Sequence, residues 1–124
     1  MSKVPEELKF TKTHEWFKTE GSTVTMGISD YAQSQLTDIV YIELPTVGSK
    51  KKAGDVLLTI ESVKSAEDVF SPVEGEVVEI NKDLVNKPEL VNSDSYAHWM
   101  VRLKKTGNEA PSMPAGEYKK FIGE

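Results

Sequence analysis

The stretch Gly54–Asn81, GDVLLTIESVKSAEDVFSPVEGEVVEIN, carries one lysine, Lys64, between two strand-like arms. In the first arm Val56, Leu58 and Ile60 alternate with Leu57, Thr59 and Glu61, the period of a strand, and Gly54-Asp55 supplies the entering turn. The second arm resumes at Val69-Phe70, bends at Ser71-Pro72, turns again at Glu74-Gly75 and runs through EVVEIN to Asn81. Each arm carries a glycine-acid turn, so the segment has a weak pseudo-symmetry with Lys64 near its midpoint, at the tip of a hairpin.

The flanking sequence continues in short strands. Leu8–Thr11 and Glu15–Thr19 read as extended, and Glu20-Gly21-Ser22 turns the chain into Val24, Met26 and Ile28, apolar at every second position. Asp30 with Gln33 three residues on predicts a capping box and a short helix in which Ala32 and Leu36 share a face. Ile39–Pro45, IVYIELP, is a β-branched and aromatic run stopped by proline. Short helical or turn segments follow over Asn81–Asn92, broken at Pro88, and HWMVRLKK predicts a last strand. Gly107–Gly116 reads as a connector, after which Tyr118, Phe121 and Ile122 mark a short amphipathic C-terminal helix. The pattern predicts one domain over residues 1–124, an all-β sandwich or barrel with helices as accessories.

Composition removes several function classes. With 38% hydrophobic and 28% charged residues the chain fits a soluble globular protein, and no apolar run approaches the roughly 20 residues of a membrane span. MSKVPEELKF has neither a signal core nor the Arg-rich character of a transit peptide. A cytoplasmic protein is expected, or a mitochondrial-matrix one if a processed organellar form. The net charge of −5 argues against phosphate-backbone binding, and Lys50–Lys52 is expected to be a solvated turn. Without cysteine there is no disulfide, thiolate metal site or cysteine nucleophile, so any redox chemistry has to be attached from outside.

Few residues remain for catalysis. His14 and His98 each neighbour a tryptophan in strand-like sequence and are expected to be structural or surface imidazoles. HEWFK lacks the second histidine of the H-E-x-x-H zinc motif, and in GSKKKAGD an aspartate follows the second glycine where a phosphate loop needs Lys-Ser/Thr. Glu61, Glu67 and Asp68 near Lys64 favour its charged ammonium form, which makes it a poor nucleophile and a poor Schiff-base former. An exposed lysine on a tight turn flanked by Val63 and Ser65 is then either an ordinary turn lysine kept for solubility or an attachment point presented to an enzyme that acylates it.

This segment closely resembles the lipoyl-attachment hairpin of the glycine cleavage system H protein family, with Lys64 at the lipoylated position. KFTKTHEW, VTMGISDYAQSQLTDIVYIELPTVG and PELVNSD resemble further family segments in the family's order, over roughly residues 5–104. The resemblance implies a mainly β, lipoyl-domain-like barrel-sandwich hybrid (hammerhead) with short accessory helices and a C-terminal helix. It implies a monomeric carrier with covalent lipoate on Lys64, and not an enzyme. A pyridoxal-phosphate glycine decarboxylase (P protein) loads the aminomethyl group of glycine onto the arm. An aminomethyltransferase (T protein) removes it, and dihydrolipoamide dehydrogenase (L protein) reoxidises the arm.

The same resemblance places Glu15, Thr13 and Asp68 in a cleft that shelters the loaded arm. It places Glu61, Ser62, Val63 and Ser65 in the turn read by a lipoyl ligase or lipoyltransferase, with Gly75 relaxing the backbone opposite. SYAHW, one residue shorter than the family's loop and lacking its glycine, and NEAPSMPAGEY depart from the family pattern and bear on how the C-terminal edge packs. The hairpin suits equally an H-like paralogue that donates lipoyl groups in relay or acts as a regulatory or redox module. A biotin carrier fits less well, since Val63 and Ser65 stand where A-M-K-M has methionines.

Overall fold

A computed structural model describes residues 1–124. In its first half the strands are β1 (Lys9–Thr11), β2 (Glu15–Glu20), β3 (Thr23–Ile28), β4 (Ile39–Glu43) and β5 (Lys50–Lys51), with helix α1 (Asp30–Leu36) between β3 and β4. Then come β6 (Val56–Ser62), β7 (Ala66–Phe70) and β8 (Val73–Ile80), two single-turn helices, α2 (Asp83–Asn86) and α3 (Leu90–Ser93), and β9 (Val101–Glu109). Strand β10 (Ser112–Pro114) and helix α4 (Ala115–Phe121) close the chain.

Two antiparallel sheets result, one of seven strands in the order β10-β1-β2-β3-β9-β8-β5 and one of three in the order β4-β6-β7. Their facing sides share one core. Phe17, Met26, Val77 and Leu103 of the large sheet pack with Ile42, Leu58, Ile60 and Val69 of the small one. Each such side chain removed from water contributes roughly 1.5–3 kcal/mol before entropy is counted. A second cluster lies under α4, where Phe10, Trp16, Met113 and Tyr118 meet and the Phe10 and Tyr118 rings stack at 4.4 Å. β3 is therefore covered on both sides, with Val24, Met26 and Ile28 in the main core and Gly27 beneath the Trp16 indole.

The mainly β architecture with accessory helices and a C-terminal helix matches the expectation, and several local readings are corrected. Ser29, not Asp30, caps α1: its Oγ accepts the Ala32 N–H at 3.1 Å, while Asp30 sits in the first turn and accepts from Gln33 Nε2 at 2.9 Å. The alternation in β6 fails at its start, because a register shift between Val56 and Leu58 turns Val56 to solvent and buries both Leu57 and Leu58. Glu74-Gly75 is no turn; both residues lie inside β8. Lys50 and Lys51 of the Lys50–Lys52 run form the edge strand β5, where lysines discourage pairing with another chain. The expected 107–116 connector holds the end of β9 and all of β10, and Pro114 is tolerated there because β10 is a sheet edge. His98 precedes β9 and is not part of it.

Thr37, which ends α1, adopts φ 61° and ψ −142°, a region that β-branched residues avoid. Asn92 of α3 holds it there, donating from Nδ2 to the Thr37 carbonyl at 2.8 Å while its Oδ1 accepts the Ile39 N–H at 2.9 Å. Thr37→Gly is expected to raise stability by about 1 kcal/mol, strain relief exceeding glycine's entropic cost. Denaturant unfolding with an unchanged or lower midpoint would show that the site is relaxed.

Candidate functional site

Lys64 occupies the turn between β6 and β7. Ser62 builds that turn: its Oγ accepts the Lys64 N–H at 3.2 Å and the Ser65 N–H at 3.1 Å, and its own N–H donates to the Ser65 carbonyl at 2.8 Å. The Val63 N–H donates to the Asp38 carbonyl at 3.0 Å, which ties the tip to the segment joining α1 and β4. Ser65 Oγ donates to Glu67 Oε1 at 3.3 Å. Glu61 faces Ala66 across the hairpin. Every one of these bonds uses backbone, Ser or Glu atoms. The Lys64 amine is exposed and takes part in none of the ion pairs.

Beside Lys64 opens a cleft of about 370 Å³. Its apolar lining comes from Ile28 of β3, Ala32 and Leu36 of α1, Ile60 of β6 and Val69 of β7. Its polar lining includes Thr13 and His14 from the β1–β2 turn and Glu67 and Asp68 from β7, and Asp68 Oδ1 accepts from Thr59 Oγ1 at 3.4 Å. The structure thus brings Lys64, Ser65, Thr13 and Asp68 to one cleft. Gly75 lies elsewhere, in the large sheet between Lys51 of β5 and Lys105 of β9, so it does not face the lysine turn.

Glu15 is 1% exposed, which rules out a solvated strand carboxylate. It lines a separate depression of about 260 Å³ shared with Thr13 and Phe70, not the cleft that contains Lys64. Its Oε1 accepts from the Thr11 and Thr13 hydroxyls and its Oε2 accepts the Phe70 N–H at 3.2 Å. A buried carboxylate requires such partners. Glu15 therefore pins the end of β7 to the β1–β2 turn.

His14 was not legible as a cleft residue. It ends a turn in which its N–H donates to the Thr11 carbonyl at 3.1 Å, and it holds φ 73°, a left-handed conformation costing a non-glycine residue roughly 1–2 kcal/mol. Its ring lies 5.0 Å from that of Tyr31 and 5.9 Å from that of Phe121, and Nδ1 is 2.8 Å from the Tyr118 hydroxyl. Burial holds the imidazole below its ordinary pKa and pushes the Tyr118 phenol upward. For α1 the available signal was the shared face of Ala32 and Leu36, which does line the cleft.

The unusual C-terminal third packs against the second core. In the SYAHW loop the Ser95 carbonyl accepts from Trp16 Nε1 at 3.0 Å. The Tyr96 hydroxyl donates to the Lys3 carbonyl at 2.6 Å and accepts the Asp30 N–H at 3.1 Å, and burial raises its pKa to about 12.

These residues fit a group joined to Lys64 through an amide. The amine is exposed and free of ion pairs, the apolar lining suits an aliphatic chain, and the carboxylates of Glu67 and Asp68 suit an amine at its end.

The family model for the glycine cleavage H-protein matches residues 8–124. A Picrophilus torridus protein named "Probable glycine cleavage system H protein" is 56% identical over 124 residues, the full length of both chains. A Thermoanaerobacter "Glycine cleavage system H protein" is 52% identical over 98% of each. The crystal structure of a glycine cleavage system H protein from Mycobacterium marinum superposes with a TM-score of 0.92 at 30% identity, over 98% of this chain and 100% of that one. With that extent of likeness in sequence and fold, the chain belongs to the glycine cleavage H-protein family, the lipoyl carriers of the glycine cleavage system.

Proposed function

We propose that Lys64 carries the lipoyl arm, and that the protein is a non-catalytic, monomeric, cytoplasmic shuttle. It takes the aminomethyl group of glycine from P protein to T protein and is reoxidised by L protein. The position of Lys64 supports this reading: a partner-free amine on a turn braced by Ser62, opening on a cleft with an apolar lining and two carboxylates. When bound, the dithiolane supplies the sulfur that this cysteine-free chain lacks.

The chain's own residues present, shelter and release. A lipoyl ligase or lipoyltransferase reads the turn at Glu61, Ser62, Val63 and Ser65. Glu67 and Asp68 attract a cationic amine, and Ile28, Leu36 and Ile60 keep water from it. Thr13 forms a wall of the cleft, and Glu15 holds that wall through the Thr13 hydroxyl and the Phe70 N–H.

Glycine-dependent exchange of labelled carbon dioxide, with a P protein and the lipoylated chain, tests the assignment. Exchange that requires the lipoylated chain is expected; none would reduce the protein to a lipoyl donor for other complexes. Glu15→Ala is expected to speed loss of methylamine from the loaded protein about tenfold, since the Thr13 wall and the end of β7 both lose an anchor. Unchanged release would remove Glu15 from the site.

A further inference from the structure

Ser29, Tyr118 and His14 form a hydrogen-bonded chain whose direction is fixed by counting protons. Ser29 is fully buried, and its Oγ already accepts the Ala32 N–H as the cap of α1. The one acceptor that the structure offers its hydroxyl proton is the Tyr118 oxygen, 2.7 Å away. Tyr118 must then donate its own proton to His14 Nδ1 at 2.8 Å. Nδ1 is thereby an acceptor, and the neutral ring carries its proton on Nε2, which has no protein partner. An imidazolium carries protons on both nitrogens. To charge His14, Nδ1 must donate to the Tyr118 oxygen, which leaves one hydroxyl proton of the chain, that of Tyr118 or of Ser29, without an acceptor.

We propose that His14 is a positioning residue of the carrier cycle, an imidazole kept uncharged by the Ser29–Tyr118 chain, which retains the amine-loaded arm in the cleft only while it stays neutral. The inference rests on the carrier reading above. Its left-handed backbone puts the ring in the cleft wall, where glycine would be the conformationally easy choice.

The groups that face His14 make its charge decisive. Tyr31 of α1 and Tyr118 of α4 are neutral phenols, and Glu15 is turned to Thr11, Thr13 and Phe70. Across the cleft stand Lys64, Glu67 and Asp68. Once Lys64 is an amide, its cation is gone and the two carboxylates face the incoming ammonium. A charged His14 would compete for them and repel the cargo. Burial lowers the imidazole pKa from 6.5, so the neutral state persists above that value and is lost as pH falls through the lowered one.

The test measures methylamine release from the lipoylated, glycine-loaded protein, divided by release from the same protein denatured, for wild type and His14→Asn. Asparagine tolerates the left-handed backbone, stays polar toward Tyr118 and cannot be charged. Between about pH 7.5 and about pH 5.5 the wild-type protection is expected to fall about tenfold, and that of His14→Asn less than about twofold. In parallel, imidazole ¹⁵N shifts of the wild type should show the Nε2–H tautomer and a titration below 6.5. Matching pH profiles, an Nδ1–H tautomer, or a titration at or above 6.5 would each overturn the proposal. A chain that never loads glycine carbon overturns the carrier reading and this inference with it. A loaded chain with matching profiles overturns the inference alone.

Discussion

Lys64→Arg is expected to fold and melt like the wild type and to carry no lipoyl group at all. The substitution keeps a cation at the tip and leaves the Ser62 bonds, the Asp38 tie and the core of Ile60 and Val69 untouched. Only the nucleophile changes, because a guanidinium is not acylated where an amine is. Intact-mass and peptide mapping after expression with lipoate and a lipoyl ligase should place the modification on Lys64 in the wild type and nowhere in the variant. Glycine-dependent exchange should drop to background, a loss of at least about 10³-fold, or some 4 kcal/mol. Lipoylation at another of the chain's lysines, or a bare Lys64 in the wild type, would sink the assignment.

Gly75→Ala is expected to be the most destabilising single-methyl substitution in the sheets. A Cβ at Gly75 would lie inside van der Waals contact of the Lys104 carbonyl oxygen and 3.1 Å from its carbon, both backbone atoms of β9. A side chain can rotate away from such a clash; a strand held by its ladder cannot. β8 pairs with β9 over most of its length and with β5 on its other edge, so relief requires displacing strands on which the main core rests. The expected cost is about 3 kcal/mol, or a fall of about 10 °C in melting temperature. A Gly27→Ala variant is the comparison, since its Cβ would meet the Trp16 side chain at 2.8 Å, and an indole can shift. A smaller loss at Gly75 than at Gly27 would mean that β8 and β9 separate more easily than their pairing implies.

The difference between these two positions also explains what the sequence could disclose. The hairpin around Lys64 was legible because alternation, a small-residue turn and a lone lysine coincide within one local segment. The β2–β3 hairpin and the helix containing Tyr118 were legible on the same terms. Gly75 misled because a glycine required by a neighbouring backbone looks, in one dimension, like a glycine required by a turn. β10 was hidden because proline forbids a central strand and permits an edge one, and edge status belongs to the whole sheet. His14 escaped because its left-handed turn uses a histidine where glycine would have announced it. Glu15 was placed near the arm by family likeness, whereas its burial behind Thr13 depends on the packing of β7 against the β1–β2 turn.

The bracing of the tip by Ser62 has one more consequence. None of the bonds that shape the turn involves the Lys64 side chain, so attaching a group to its amine breaks nothing in the protein. Nothing in that network ties the backbone of the turn to what the amine carries. In the carrier cycle proposed above, each visiting enzyme would then meet the same silhouette and identify its turn from the chemistry at the end of the arm. On that proposal the order of the cycle is written in the cargo, and the protein is its constant address.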